Sequence, residues 1–453
     1  MGKLFGTSGV RGVVGKEVTL GLVLDLGLAL ATKLGNSGTV VVGKDPRTSS
    51  DMLEGCLISS LLSGGCDIKR LGIVPTPVVS FAVRHLRAKA GIMITASHNP
   101  PEYNGIKFWD YTGMAYTPEL EEEIEDIYFG RRMKPVAWDR IGSVGEIDVL
   151  PSYIETVVSF VKLTRKYKVV VDCGNGAGSV VTPYLLSRLG CRVTTLNSQL
   201  DGFFPGRPLE PTPENLGDLC MAVKSIGADL GVAHDGDADR VAAVDETGRA
   251  VQADELLAVI AAHQVKKKGD IVVTTVDASS VVDETVSERG GKVVRTRIGD
   301  VNVAVEVKRR KAVFGGEPIG AWIFPDVNLA PDGPFGAMKI LELLSSTGKP
   351  LSELVDALPD YYMEREKVAC SNERKAEVMK EIRGRLTLEF PELIEVLEID
   401  GIRLRLEDGW VLVRPSGTEP YIRVTAEGRT PGRAREIVGR SAKVLKETIQ
   451  SSL

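Results

Sequence analysis

Three stretches of this chain share one pattern, and that repetition constrains the fold more than any other feature. Each opens on an apolar, β-branched run, at residues 39–42, 168–171 and 271–275. Such runs suit the buried first strand of a parallel sheet. A polar loop and a helix-period stretch follow. Each helix stops at a glycine step, in Ser63-Gly64-Gly65-Cys66, Arg188-Leu189-Gly190-Cys191 and Arg289-Gly290-Gly291-Lys292, where Gly is the expected helix C-cap. A third strand is expected at 91–95, 230–233 and 312–314. The pattern predicts three similar α/β domains with mixed, mostly parallel sheets.

The most polar, least core-like loops come directly after the third strand of each unit. They read Ala96-Ser97-His98-Asn99-Pro100, His234-Asp235-Gly236-Asp237-Ala238-Asp239-Arg240 and Gly315-Gly316-Glu317-Pro318-Ile319-Gly320. Ligands of open α/β sheets bind outside the carboxyl ends of the strands, so three such ends can share one active site. The C-terminal part departs from the repeat. It turns charged at 364–367, has a helical pattern over 372–387, strands at 401–406, 410–413 and 421–426, and a final helix from 433 to about 449. That is a smaller α+β domain, whose basic helix face is read as solvated surface. The expected domains are 1–150, 151–250, 251–362 and 363–453.

Composition limits the partners. With 56 Lys and Arg against 61 Asp and Glu in 453 residues, the net charge is −5. No bulk positive field exists for nucleic acid or an anionic membrane, so neither is an expected partner, and an anionic ligand needs a local basic cluster. No apolar run reaches 18 residues; the best, 20–31, is short and contains Asp25. The N-terminus lacks a signal-like apolar region. The six cysteines lack a Cys-x-x-Cys spacing and read as reduced, mostly buried thiols. A cytoplasmic chain is expected, a monomer or a homodimer.

The loops carry chemistry. Asp235, Asp237 and Asp239 alternate just past a strand; in an extended loop they would turn to one side, where their mutual repulsion calls for a hard cation such as Mg²⁺. An EF-hand is the poorer reading, because Arg240 stands where its loop needs Gly and the flanks read as strands. An aspartyl-phosphate phosphatase would leave the other loops unexplained, and a solvated acidic turn is the plainest alternative. Ser97 alone would read as a helix cap. With His98, the stiff Asn99-Pro100-Pro101 and nearby Lys107, its hydroxyl is a candidate phosphoryl carrier facing the metal loop. Arg240 can neutralise further charge there. Arg414-Pro415-Ser416-Gly417-Thr418-Glu419-Pro420, with Arg423 beyond, offers guanidinium groups, two hydroxyls and the N–H groups of a Gly turn, which suits a phosphate clamp. A plain hairpin turn does not account for both arginines.

These motifs, together with Phe5-Gly6-Thr7-Ser8-Gly9-Val10-Arg11-Gly12, occur in the order found in the α-D-phosphohexomutases, and the chain closely resembles that family over nearly its whole length. Its phrasing is most similar to archaeal phosphoglucosamine mutases and phosphomannomutase/phosphoglucomutases. The resemblance implies four domains around a central cleft and a phosphoserine at Ser97. It implies Mg²⁺ held by Asp235, Asp237, Asp239 and the phosphate on Ser97. Glu317 would contact sugar hydroxyls. Arg414, Ser416, Gly417, Thr418 and Arg423 would hold the substrate's non-reacting phosphate, and Arg11, His98 and Lys107 would neutralise charge or move protons. The small-molecule substrate would be a phosphosugar, with glucose- or glucosamine-1,6-bisphosphate as activator.

Some positions depart from the family. Ile319 and Ala321 stand where Ser and His or Asn are common, leaving Glu317 to read the sugar. Gly299-Asp300 is similar to the phosphoglucosamine type, whereas Ser8 replaces the Asp of its bacterial form. The expected reaction interconverts hexose 1-phosphate and hexose 6-phosphate through a bound bisphosphate, an intramolecular phosphotransfer. Either Lys107 or His98 can serve as general base. A non-catalytic sugar-phosphate sensor and a sugar phosphatase are the alternatives.

Overall fold

The computed structural model describes residues 4–6, 9–417 and 419–451. Thr7, Ser8 and Thr418 therefore lie outside the described residues. The first sheet contains β1 (Val10–Val13), β2 (Thr39–Lys44), β3 (Asp67–Ile73), β4 (Ala90–Ile94), β5 (Tyr103–Asp110) and β6 (Val144–Glu146), in the order β1-β5-β4-β2-β3-β6. The second contains β7 (Lys168–Asp172), β8 (Arg192–Leu196), β9 (Leu230–Ala233) and β10 (Ala242–Val244), ordered β10-β9-β7-β8. The third contains β11 (Ile271–Thr275), β12 (Lys292–Thr296), β13 (Phe314–Gly316) and β14 (Trp322–Ile323), ordered β12-β11-β13-β14.

Read from one side, β5-β4-β2-β3, β10-β9-β7-β8 and β14-β13-β11-β12 are one topology built three times. In each, the first strand lies between the second and third in parallel, and a fourth strand pairs antiparallel with the third. The repeat in the sequence is thus a repeat in space. The valines of the first strands explain why these strands sit centrally: Val40, Val41, Val42, Val170, Val171, Val272 and Val273 are fully buried. Gly65, Gly190 and Gly290 end their helices at φ of +83°, +84° and +80°, a conformation that costs a side-chain-bearing residue energy. The third strand of the third unit begins at Phe314 rather than 312.

The C-terminal sheet is larger than the three expected strands. It holds β15 (Tyr362–Ala369), β16 (Leu393–Leu397), β17 (Ile402–Leu406), β18 (Gly409–Pro415) and β19 (Tyr421–Gly428), in the order β15-β19-β18-β17-β16, all antiparallel. One face packs on the helices Lys375–Glu389 and Pro431–Ser451 through Leu404, Val411, Val413, Ile422, Val424, Ile382 and Ile437. On the other face, Trp410 and Leu412 pack with Val276 of the third unit, with Ile298 against them. Glu427 adds a polar tie there, accepting from Trp410 Nε1 at 2.7 Å and from Ser280 N at 2.9 Å. All six cysteines are free, as expected. Among the described residues, no helix is long and apolar enough to cross a membrane.

Candidate active site

In every unit the polar loop is the link between the third strand and its antiparallel partner. Ser97 follows β4, and no helix follows it, so the cap reading fails. It sits instead in a turn at φ +51°, and its N–H donates to Thr95 Oγ1 at 2.8 Å. Arg47, just past β2, holds the loop from outside. Its guanidinium donates to the carbonyls of Ser97 (2.9 Å), Asn99 (2.8 Å), Pro100 (2.6 Å) and Tyr103 (3.0 Å). Asp45 pairs with Arg47 Nε at 3.0 Å and accepts from Thr95 Oγ1 at 2.6 Å. The Asp45 and Arg47 side chains are both fully buried, so an unbonded charge there would be costly.

The aspartate loop meets this turn directly. Ser97 Oγ donates to Asp235 Oδ2 at 2.6 Å. The three carboxylates converge, with one oxygen from each lying within 4.8 Å of the others. Convergence does not come from extended alternation, as the sequence suggested. The loop is a tight turn with Ala238 at φ +52°. His234 braces it, with Nδ1 2.8 Å from Arg240 O across the loop and Nε2 2.9 Å from Thr182 Oγ1. Gly236 has no room for a side chain, since a Cβ would stand 2.6 Å from Ser97 O. The flanks are strands β9 and β10, which rules out an EF-hand.

Cations gather around the carboxylates. Lys107, on β5, donates to Asp237 Oδ2 at 2.9 Å and Asp239 Oδ2 at 3.2 Å. Thr76 Oγ1 donates to the same Asp237 oxygen at 2.6 Å. Arg240 Nε lies 3.9 Å from both Asp235 and Asp239, and its Nη1 donates to Glu210 at 3.2 Å. Arg11, on β1, is half-buried and lies within the field of Asp237 and Asp239. Burial pushes the Asp235 carboxyl well above the usual carboxylate range, and the charges of Asp239 and Asp237 add to this. Burial also opposes ionisation of Asp237, but Lys107 and Thr76 outweigh it and hold that group low. His98, with Nδ1 3.5 Å from Ser97 Oγ, is pushed down to about 4 by burial and by Arg240.

Two carboxylate oxygens here, Asp237 Oδ1 and Asp239 Oδ1, are buried without a hydrogen-bond partner. A buried anionic oxygen left unpaired is costly. Three converging carboxylates, two of which keep an oxygen without a hydrogen bond, fit a hard divalent cation.

The other two loops join this centre by contact. The Glu317 loop is stitched to the aspartate loop by an isolated antiparallel bridge between Arg240 and Ala321, with Val241 N donating to Gly320 O at 3.0 Å. Glu317 accepts from Gly299 N at 2.8 Å, and burial together with neighbouring Asp300 pushes it up to about 8. Next to Gly299, Ile298 N donates to Asp400 Oδ2 at 3.3 Å, and that oxygen is 2.9 Å from Arg414 Nε. The geometry there is that of an ion pair and not of a hydrogen bond, because Arg414 Nε has no aligned acceptor.

Arg414 and Arg423 stand opposite each other on β18 and β19, flanking the turn that carries Ser416 and Gly417. The turn is a hairpin, closed by Ser416 N donating to Tyr421 O at 3.1 Å. Lys375 fixes it from behind through the carbonyls of Ser416 (2.6 Å) and Glu419 (2.5 Å). The expected role of Thr418 lies outside the described residues.

The structure thus brings Ser97, His98, Lys107, Arg11, Arg240 and the three aspartates into one centre, and connects Glu317 and Arg414 to it by a chain of contacts. Sequence reasoning missed Asp45, Arg47, Thr76, His234, Lys375 and Asp400. Asp45 and Arg47 had one available signal, their place at the carboxyl end of a central strand.

Comparison with known proteins bears on the family and the fold. Four sequence models described as Phosphoglucomutase/phosphomannomutase match the chain. They are alpha/beta/alpha domains I, II and III at residues 2–134, 151–248 and 252–362, and the C-terminal domain at 366–444. A protein of Methanothermobacter thermautotrophicus described as a probable phosphoglucosamine mutase is 50% identical over 99% of this chain and 98% of its own. One of Pyrococcus abyssi with the same description is 48% identical, covering 100% of both chains. A solved phosphoglucomutase/phosphomannomutase family protein from Burkholderia thailandensis superposes with a TM-score of 0.88 at 29% identity, covering 98% of this chain and 97% of the other.

Proposed function

The chain belongs to the phosphoglucomutase/phosphomannomutase family and is a phosphohexomutase, an isomerase, and on that premise we propose that it is a phosphoglucosamine mutase acting through phosphoserine 97. The observation that carries the mechanism is the Ser97 hydroxyl lying 2.6 Å from Asp235, beside two carboxylates that each keep one buried oxygen without a hydrogen bond. The choice of glucosamine rests on the description of the relative at 50% identity.

Asp235, Asp237 and Asp239 would hold Mg²⁺ together with the phosphate on Ser97. Bound there, the metal would supply Lewis-acid charge stabilisation to the phosphoryl group. Ser97 carries that group to the free hydroxyl of a hexose phosphate: the Ser97 O–P bond breaks, a sugar O–P bond forms, and the sugar hydroxyl's proton passes by way of Lys107 or His98 to the freed Ser97 oxygen. The product is a bound 1,6-bisphosphate. It reorients, Ser97 takes the other phosphate, and the isomer leaves. Arg47 aims the serine through four loop carbonyls. Lys107, Arg11 and Arg240 offset the negative charge brought together in the transfer. Glu317 reads sugar hydroxyls. Arg414, Ser416, Gly417, Thr418 and Arg423 grip the phosphate that is not being transferred. A hexose 1,6-bisphosphate serves as activator by restoring phosphoserine when the intermediate escapes. The proposed domains are those bounded at residues 150, 250 and 362.

The test compares kcat/KM for the 1-phosphates of glucosamine, glucose, mannose and N-acetylglucosamine, with inorganic phosphate measured in parallel. The proposal expects glucosamine to lead, no net phosphate release, and loss of turnover in EDTA that Mg²⁺ restores. Steady phosphate release would mark a phosphatase. Binding without isomerisation would mark a sensor.

A further inference from the structure

The proposed phosphate grip of the C-terminal domain has one further cation beside it that the loop motif does not include. Lys367 lies on β15, opposite Arg423 of β19, and Arg423 lies opposite Arg414 of β18. Residues directly opposite in an antiparallel sheet project to the same face. Lys367, Arg423 and Arg414 therefore form one row across three adjacent strands. That face also carries Leu412 and Trp410, which pack with Val276 of the third unit and Ile298 beside it. It looks toward the domain that bears Glu317, and away from the helices covering the opposite face.

The two outer cations also lean together. The Lys367 ammonium sits 4.7 Å from the centre of the Tyr421 ring, and the Arg423 guanidinium 5.9 Å from the same ring. Arg423 Nη2 donates to Tyr421 Oη at 3.2 Å. Tyr421 is the first residue of β19 after the Ser416–Gly417 turn, so both heads gather at the turn end of the strands. Among the described residues, neither Lys367 nor Arg423 makes an ion pair, and both are exposed. Like charges placed opposite one another in a sheet repel. Glu419 accepts from the same Tyr421 hydroxyl at 2.5 Å, but among the described residues only Arg414 of the row is paired directly with an acid, so an anion lying across the three cations would be favoured.

We propose that Lys367 is the third cation of the phosphate grip and contacts the non-transferring phosphate of the hexose ester and of the bisphosphate. This rests on the reading that the Arg414–Arg423 hairpin binds phosphate. A dianion spanning the row takes two directional guanidinium contacts from the arginines and a mobile point charge from the lysine. The flexible stem suits a ligand that must be held in two orientations, since the ammonium can follow the phosphate when the sugar is reversed.

The experiment compares Lys367→Met, Lys367→Arg and Arg423→Met with the wild type. It measures calorimetric affinity for glucose 1,6-bisphosphate and steady-state constants in both directions. Lys367→Met should weaken bisphosphate binding and raise both KM values about 10-fold, which is about 1.4 kcal/mol, with phosphate on Ser97 and Tm unchanged. Lys367→Arg should restore most of the affinity. Arg423→Met should weaken binding at least as much. If Lys367→Met binds like the wild type while Arg423→Met is impaired, the inference about Lys367 fails and the clamp stands. If neither variant is impaired, the clamp reading fails with it. Loss of kcat at unchanged KM and affinity would make Lys367 a structural residue and overturn the inference.

Discussion

The Ser97 centre and the Arg414–Arg423 hairpin, the two places proposed to handle phosphate, are built in opposite ways. Around Ser97 most groups are buried, and several are bonded more than once. Arg47 is bonded to four carbonyls and to Asp45, Lys107 to two carboxylates, and Asp237 to Lys107 and Thr76. The hairpin instead leaves Arg423 exposed, Arg414 29% exposed, and the turn fixed mainly through backbone carbonyls held by Lys375. The difference follows from the two tasks. Transfer needs donor and acceptor held within tenths of an ångström. A grip must release a phosphate and catch the opposite end of the same sugar, and solvated side chains allow that.

If the contrast holds, damage to the buried centre abolishes chemistry, whereas damage to the hairpin weakens binding. The largest effect should come from Ser97→Ala, lowering kcat by about 10³-fold or more, as expected for a lost covalent nucleophile. Circular dichroism should stay near wild type and Tm should change little, because the lost hydroxyl gives up one close bond, to Asp235, without opening an apolar cavity. Near-normal turnover would erase the distinction between the two regions.

Arg47→Leu comes next. It removes the bonds that aim the loop and leaves Asp45 as an unpaired buried charge, which typically costs about 3–5 kcal/mol. Denaturant unfolding should show that loss, and the phosphoserine level should fall with it. A variant as stable as the wild type would show that the loop does not depend on Arg47.

Arg414→Ala should be milder. Losing one charged hydrogen-bonding partner costs about 1.5–3 kcal/mol, roughly 10- to 150-fold in kcat/KM. Both directions should suffer, Ser97 should still accept phosphate, and added hexose 1,6-bisphosphate should recover part of the activity. Unchanged KM and bisphosphate dependence would reduce the hairpin to a turn.

The smallest effect concerns pH. Glu317 titrates near 8 in the fold, above its ordinary 4.5, because burial and Asp300 disfavour its charge. The folded chain therefore holds that proton more tightly than the unfolded chain does. The associated stability is present below about 4.5 and is lost as pH rises through 8. Against Glu317→Gln, the wild-type Tm should fall progressively over that window in ligand-free protein. Parallel curves for the two would contradict the assignment.

Much of this arrangement is legible in the sequence because it is periodic. Valine runs, glycine stops and polar loops recur three times, and the strand-end rule points to the loops. The expectation is less complete for the C-terminal sheet. β15 carries Glu364-Arg365-Glu366-Lys367, which shows no apolar alternation, although Val368 reaches the core. β16, Leu393-Ile394-Glu395-Val396-Leu397, is an edge strand whose mostly apolar run shows no period-2 alternation and has no fully buried residue. The braces are harder still, since their partners are remote: Arg47 bonds a loop 50 residues on, and Thr76 bonds Asp237 from 161 residues away. A single chain's pattern carries no sign of such pairs. Likewise, three alternating aspartates suggested an extended loop, but only the left-handed Ala238 turn and the His234 brace make them converge.

The central claim is that Ser97 carries the transferred phosphate. Site-resolved mass spectrometry of the enzyme quenched during turnover, after charging with a hexose 1,6-bisphosphate, tests it most directly. The account predicts one phosphate, on Ser97, that disappears when excess hexose 6-phosphate discharges it into bisphosphate. Full activity with Ser97 unmodified, or phosphate on another residue, would contradict it.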